Sequence, residues 1–270
     1  MRVHYISDLH LESQDFPWTL PGGDVLIVAG DLCHAACLSP ARTDPYATKQ
    51  RDRVLRFSEA ARRAFRHVLL VAGNHDHYDG IFEETVPTLC THLPGFTVLD
   101  DAAAEIDGVR FVGSTLWSDF KGRDAAALQA ARKGCGEFFF VKTRAGEAAD
   151  APLQRFRPEH AADAFDRARS ALRREVEAGD GRPTVVVTHH APSARGLNPK
   201  FAGGALDGAY ASALEPFMET LERVPFWIHG HTHVQARYVI GRTTVLANCR
   251  GFDGKDAAAR SFSVKRSFDV

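Results

Sequence analysis

The stretch "GHTH", Gly230 to His233, decides the fold because of what stands directly before it. Residues 224–229, VPFWIH, form a short apolar run that is typical of a buried strand. A glycine and two histidines follow at the point where this strand would end. Two imidazoles alone indicate little, so their meaning depends on which other polar residues the fold brings beside them.

The same arrangement, a short apolar run that ends in polar residues, recurs along the chain. It predicts strands over residues 3–6, 25–29, 68–72, 109–112, 184–187 and 226–228. Helical patterns are present over residues 48–65, 158–178 and 209–223, and Gly241-Arg242 is the turn of a predicted hairpin, 236–240 with 243–247. Strands that alternate with helices predict a layered α/β fold, and the hairpin predicts a second or a mixed sheet.

Polar clusters follow five of these strands and share one chemistry. They are "SDLH", "GDLC", "GNHD", "THHAP" and "GHTH", with candidate residues Asp8, His10, Asp31, Asn74, His75, Asp76, His189, His190, His231 and His233. Because the carboxyl ends of parallel strands share one edge of a sheet, these side chains should converge. Carboxylates and imidazoles bind Mn, Fe, Zn or Ni. The donors are too many for one ion, whereas two ions that share a carboxylate would use them all.

The ordered blocks DxH, GD, GNH[DE], a later His and GHxH, from Asp8 to His233, resemble those of the calcineurin-like metallophosphoesterase superfamily. The resemblance implies an α/β fold, a four-layer αββα sandwich of two mixed β-sheets flanked by helices. It implies two divalent metal ions, for which manganese is the favoured identity and Fe, Zn, Ni or Mg are the alternatives. It also implies the ligands: Asp8, His10 and His233 for the first ion, Asn74, His189 and His231 for the second, and Asp31 between them.

The reaction that the resemblance implies is hydrolysis of a phosphodiester or phosphomonoester by a hydroxide that bridges the two ions. His75 would stabilise the developing charge or protonate the leaving alkoxide. Asp76 would support the loop that carries His75 without binding an ion itself. His190 stays open as an alternative to His189. For His34 and His77, substrate contact and plain surface placement both stay open.

The second block departs from that of the serine/threonine phosphoprotein phosphatases, GDxVDRG. Here it reads "GDLCHAA", with His34 at the Asp position and Ala35 at the Arg position. The absence of the Arg favours a diester substrate, because a diester carries one negative charge and needs fewer positively charged contacts than a monoester. Arg123, Arg195 or Arg250 is the alternative source of charge. A phosphoprotein phosphatase is the first alternative function, and a non-catalytic interaction scaffold on the same fold is the second.

The amino-acid composition limits the binding partners and the cellular location that we expect. With 33 Lys+Arg against 34 Asp+Glu in 270 residues, the net charge of -1 predicts no general attraction to nucleic acid or to membranes. The five cysteines form no CxxC pair, and the N-terminal MRVHYISDLH lacks a signal-peptide core, which together predict a cytoplasmic protein. We expect a single domain, 1–270, with an insertion at about 114–158 over or near the site. The expected substrate is a phosphate ester, small molecule or nucleotide.

Overall fold

The computed structural model describes residues 1–146, 148–200 and 202–270. Its strands form two large mixed sheets and one short hairpin. In chain order the strands are β1 Arg2–Ile6, β2 Gly23–Ala29, β3 Phe65–Val71, β4 Phe96–Val98, β5 Ala102–Ile106, β6 Val109–Ser114, β7 Lys142–Arg144, β8 Leu153–Arg155, β9 Thr184–Thr188, β10 Phe226–His229, β11 Gln235–Ile240, β12 Thr243–Asn248 and β13 Ser267–Asp269.

The two large sheets are parallel in their centres and antiparallel at their edges. The first has the order β13-β1-β2-β3-β4, in which β13 alone runs antiparallel. The second has the order β11-β12-β10-β9-β6-β5, with β11 and β5 antiparallel at its edges. Ile240 pairs with Thr243, which confirms the two-residue turn predicted between β11 and β12. The parallel centres place several strand ends at one edge of each sheet.

Helices cover the outer faces of both sheets. They are α1 Pro45–Ala64, α2 Phe82–His92, α3 Phe120–Arg123, α4 Ala125–Gly134, α5 Glu137–Phe140, α6 Pro158–Glu177, α7 Asp207–Tyr210 and α8 Glu215–Glu219. Pro158 lies in the first turn of α6, where its missing N–H leaves no helical hydrogen bond unmade. Within the described ranges, no helix combines the length and the hydropathy needed to cross a bilayer.

The side chains of β2 show how the layers are held together. Because successive strand residues point to opposite faces, Ile27 packs toward the second sheet in a cluster with Val185, while Val28 packs toward α1 in a cluster with Phe57. Phe165 of α6 belongs to the cluster on the outer face of the second sheet. Each such buried side chain contributes about 1.5 to 3 kcal/mol. The order helix, sheet, sheet, helix confirms the sandwich that the resemblance implied.

The helix predicted over residues 209–223 is wrong. The chain forms the short helices α7 and α8 instead, because its backbone pairs with a neighbouring loop between them. The N–H of Ala191 donates to the carbonyl of Tyr210, and the N–H of Ser212 donates to the carbonyl of Ala191. Pro216 then lies in the first turn of α8. Alanine-rich periodicity favoured one helix, but these long-range hydrogen bonds divide it.

The segment 114–158 packs against the second sheet. It contains α3, α4, α5 and the hairpin of β7 and β8. Its Phe138 and Phe156 lie in the same hydrophobic cluster as Val186 and Trp227 of the sheet. The segment therefore shares a core with the strands that carry the polar clusters.

Candidate metal centre

The polar clusters meet at one edge of the two sheets. Asp8 and Asp31 follow β1 and β2 of the first sheet, whereas His189 and His231 follow β9 and β10 of the second. His189 Nε2 lies 3.3 Å from Asp31 Oδ1, so the two sheets touch through these side chains. The expected convergence of strand ends is thus present across both sheets.

Five of the predicted ligands have a left-handed backbone. The φ angle is 55° at Asp8, 49° at His10, 55° at Asp31, 66° at His231 and 48° at His233. A residue other than glycine pays about 1–3 kcal/mol to hold such a conformation, which persists where the surroundings over-determine it. Strain of this kind clusters at functional sites.

Two glycines of the motifs are required because side chains of predicted ligands pass directly over them. A Cβ on Gly73 would lie 2.2 Å from Asp31 Oδ1, and a Cβ on Gly30 would lie 2.2 Å from His189 Nδ1. Gly30 also has a φ of 87°. Any larger residue at either position would displace a carboxylate or an imidazole of the site.

Among the described residues, the donor atoms of Asp, Glu and His form three groups, in each of which every donor atom lies within 4.8 Å of the others. Two of them share Asp31: one is Asp8, His10, Asp31 and His233, and the other is Asp31, His189 and His231. The third is His10, Glu12 and His75. Asn74 adjoins the second group, with its Oδ1 3.0 Å from His189 Nε2. The structure therefore brings all the predicted ligands together in two sets.

In the first group, a carboxylate faces Nδ1 of each of two histidines. His10 Nδ1 lies 2.9 Å from Glu12 Oε1, and His233 Nδ1 lies 2.7 Å from Asp256 Oδ2. With Nδ1 of each ring as the donor, the two Nε2 atoms face each other at 3.1 Å. Burial lowers the pKa of His233, but Asp256 and Asp8 outweigh it and raise that pKa to about 10. The facing Nε2 atoms thus call for a cation between them, either a proton or a metal ion.

The second group shows the same arrangement of acceptors. His189 Nδ1 donates to the carbonyl of Ala29 at 2.9 Å, which leaves Nε2 facing Asn74 Oδ1 at 3.0 Å and Asp31 Oδ1 at 3.3 Å. Burial lowers the pKa of His189, but the Asp31 carboxylate outweighs it and raises that pKa to about 9. Facing acceptors that are buried repel unless a cation lies between them. Imidazole, amide and carboxylate donors fit a divalent ion there.

Several histidines that the sequence left open lie outside these groups. His190 Nδ1 is 3.3 Å from the carbonyl of Thr115, and burial lowers the pKa of His190 to about 3. His77 is buried against the ring of Phe82, 4.9 Å between centroids, rather than at the surface. His34 is also buried and does not line the cleft. Of the two histidines in "THHAP", His189 is the one beside Asp31.

His75 lies between the donor groups and the open cleft. Its ring stacks on Tyr78 with centroids 4.3 Å apart, and its Nδ1 lies 3.4 Å from Glu12 Oε1. Burial lowers the pKa of His75, but the charges of Asp31 and Glu12 outweigh it and raise the pKa above its usual value. His75 therefore faces the cleft in a setting that favours its protonated form.

Asp76 is buried and binds backbone rather than facing the cleft. Its Oδ2 accepts from the N–H of Gly73 at 2.7 Å and of Asp31 at 2.9 Å, and its Oδ1 accepts from the N–H of Cys33 at 2.9 Å. It thereby joins the second and third motif loops. Asp76 therefore acts on the site only through the backbone that carries the predicted ligands.

A cleft of about 670 Å³ opens over the donor groups. Its wall includes the apolar side chains of Tyr78, Leu197, Leu206, Tyr210 and Phe252. The segment 114–158 contributes residues 134–137 to this wall. The cleft has room for an organic group as well as a phosphate.

Among the described residues that line the cleft, Lys255 is the one lysine, and no arginine is present. The three arginines considered as alternative sources of charge lie elsewhere. Arg123 contacts Asp163 and Asp166, Arg195 donates to the carbonyl of Val239, and Arg250 donates to the carbonyl of Leu9 and to Asp253. Apart from the histidines of the site, Lys255 is therefore the source of positive charge that the described part of the cleft wall offers to a phosphate.

Sequence reasoning missed three carboxylates that hold the predicted ligands. Glu12 and Asp256 contact His10 and His233, as described above, and Glu137 Oε2 lies 3.3 Å from Asn74 Nδ2. Glu12 had a local signal, because it stands two residues after His10. The other two had none, because a carboxylate that supports a ligand from a distant loop has no fixed spacing from it.

Comparisons with known proteins agree with this geometry. A family model described as calcineurin-like phosphoesterase matches residues 1–235. The phosphopantetheinyl hydrolase PptH of Mycobacterium tuberculosis has a similar structure, with a TM-score of 0.61 and 19% identity over 93% of this chain and 89% of that chain. The uncharacterized protein L509 of Acanthamoeba polyphaga mimivirus is 21% identical, over 93% of this chain and 92% of its own. The UPF0046 protein K07C11.7 of Caenorhabditis elegans is 32% identical over 127 residues, 43% of this chain and 39% of its own.

The chain belongs to the calcineurin-like phosphoesterase family. It is a metal-dependent phosphoesterase, and its Asp and His clusters are groups that can hold the divalent ions which this family implies.

Proposed function

We propose that the protein is a phosphodiesterase that acts on a small-molecule or nucleotide ester. It would use two divalent ions, and manganese is the metal that we favour. The observation that carries this proposal is the pair of largely buried donor groups that share Asp31. Two ions in such a pair would polarise the phosphoryl oxygens and lower the pKa of water. Asp8, His10 and His233 would hold the first ion, Asn74, His189 and His231 would hold the second, and Asp31 would contact both.

His75 would act on the substrate rather than on the ions. Because its Nδ1 is directed at Glu12, Nε2 is the ring atom left for the substrate. Nε2 would donate a proton to the leaving alkoxide or a hydrogen bond to the developing charge. Asp76 would act indirectly, because it holds the backbone N–H of Asp31 in place.

The cleft wall supports a substrate with one negative charge and a largely apolar ester group. Lys255 lines the cleft together with the carboxylates of Asp207 and Asp256, so outside the site's histidines the wall has little net positive charge for a dianion. Leu206 and Tyr210 offer apolar surface to an alkyl or aryl group. We therefore expect diesters to be cleaved at least as efficiently as monoesters.

The test compares kcat/KM for a matched aryl monoester and aryl diester with added Mn²⁺. The expected ratio of diester to monoester is one or higher. Lys255→Gln should lower kcat/KM more for the monoester than for the diester, because the dianion depends more on that charge. A hundredfold preference for the monoester, with good turnover of phosphopeptides, would replace this proposal with a phosphoprotein phosphatase. A protein that binds no divalent ion and cleaves neither ester would support the non-catalytic scaffold.

We also propose that residues 1–270 form one domain in which segment 114–158 is an insertion at the active site. Its share of the cleft wall and of the second sheet's core supports this. A cytoplasmic location is proposed on the five unpaired cysteines, of which Cys90 is exposed.

A further inference from the structure

Glu137 is a buried carboxylate that the proposed reaction does not use. It begins α5, within segment 114–158, and only 4% of its surface is exposed. Among the described residues, no lysine, arginine or histidine forms an ion pair with it. A buried carboxylate without a cationic partner is costly, so its retention needs a reason.

The contacts of Glu137 lead to the second donor group. Its Oε2 lies 3.3 Å from Asn74 Nδ2 and 3.3 Å from the hydroxyl of Tyr78. The other end of the same amide, Asn74 Oδ1, lies 3.0 Å from His189 Nε2. Glu137 and the second donor group thus lie at opposite ends of one amide group.

A carboxylate can only accept hydrogen bonds, whereas an amide has a donor end and an acceptor end. Glu137 therefore selects the orientation in which Nδ2 faces the carboxylate and Oδ1 faces the donor group. The negative charge of Glu137 also polarises the Asn74 amide, which makes Asn74 Oδ1 a stronger ligand for a metal ion. A divalent ion beyond Oδ1 would in turn compensate the buried charge.

We infer that Glu137 is a positioning residue for the second metal ion, which fixes the Asn74 amide and strengthens Asn74 Oδ1 as a ligand. The inference rests on the proposed function, because it needs an ion at the second donor group. It gives segment 114–158 a part in metal binding as well as in the cleft wall.

The test is calorimetric titration of metal-free protein with Mn²⁺, with thermal unfolding of each variant measured in chelator and in excess Mn²⁺. Glu137→Gln should weaken one of two binding steps by about tenfold, and Glu137→Ala by up to about 100-fold, with the other step unchanged. Gln keeps an acceptor for Asn74 Nδ2 but loses the charge, so its loss should be the smaller. In chelator, Glu137→Gln should unfold at or above the wild-type temperature, because a costly buried charge is gone.

Glu83→Gln is the control. Glu83 accepts hydrogen bonds from Thr143 and from the N–H of Arg144, so it contacts the same segment without contacting Asn74. Its two binding steps should match those of the wild type. Wild-type affinities in Glu137→Ala would overturn the inference alone, as would equal losses of unfolding temperature with and without Mn²⁺. A wild-type protein that binds no divalent ion would instead refute the proposed function, and this inference with it.

Discussion

The predicted ligands Asp8, His10 and Asp31 combine a side chain that can donate to a metal ion with a backbone conformation that favours glycine. Glycine at these positions would relieve the strain but would remove the donor atom. A side chain held in this way is directed by its backbone and not only by its rotamer. The strain is therefore consistent with donors placed for ions rather than for maximal stability.

His75→Ala should keep its metal ions and lose activity. His75 faces the cleft and lies outside the two donor groups that share Asp31, so its removal takes away no expected ligand. We expect kcat to fall by about 10² or more, as for the loss of an acid catalyst or a charge-stabilising donor. Metal analysis and steady-state kinetics on the same sample check this. Loss of one full metal equivalent would make His75 a ligand.

The sequence could predict the donors but not what holds them. Each predicted ligand directly follows a strand, so a local pattern located it. Glu137 and Asn74 are 63 residues apart, and only packing of α5 under the third motif loop brings them together. Asp76 was predicted as a supporting residue, but the motif did not predict that its carboxylate accepts hydrogen bonds from the N–H groups of Gly73 and Cys33.

The loop after β12 contributes to the site as one unit. The ring of Phe252 stacks on His10 with centroids 4.0 Å apart, and Asp256 Oδ2 accepts from His233 Nδ1 and from the N–H of Phe252. Asp256 thus orients one histidine and holds in place the loop whose Phe252 packs on another. The first donor group depends on this loop although it supplies none of the predicted ligands.

Asp256→Asn should weaken the first metal site by about tenfold or more, because His233 loses the charge that fixes its Nδ1 proton. The control is Asp253→Asn in the same loop, whose carboxylate contacts Arg250 instead. Titration with Mn²⁺ measures both variants. Equal affinities in the two variants would show that Asp256 supports only the loop.

The apolar runs predicted the central strands well, because a strand buried on both faces is apolar throughout. The weaker strands β4 and β5 and the helix α2 were missed. Edge strand β5 is mostly alanine and half-exposed, so its sequence carries little periodic signal. The helix predicted over residues 209–223 failed for a different reason, since a hydrogen bond from Ala191 decided that backbone.

The site joins the two sheets of the molecule. Asp8, Asp31 and Asn74 come from the first sheet, while His189 and His231 come from the second. Metal ions held by both sets would link the sheets in the folded state and would have no equivalent site in the unfolded chain. Metal binding should therefore stabilise the whole fold rather than one loop.

Removal of the ions should lower the unfolding temperature of the entire protein in a single transition. At a free Mn²⁺ concentration of 100 times Kd, each ion contributes about 2.7 kcal/mol, which corresponds to about 5 to 10 °C for a chain of this size. Scanning calorimetry with chelator and with Mn²⁺ measures the difference. Asp31→Asn should show most of this difference abolished, because Asp31 belongs to both donor groups. If wild-type protein unfolds at the same temperature under both conditions, the ions do not link the sheets, and the shared role of Asp31 fails.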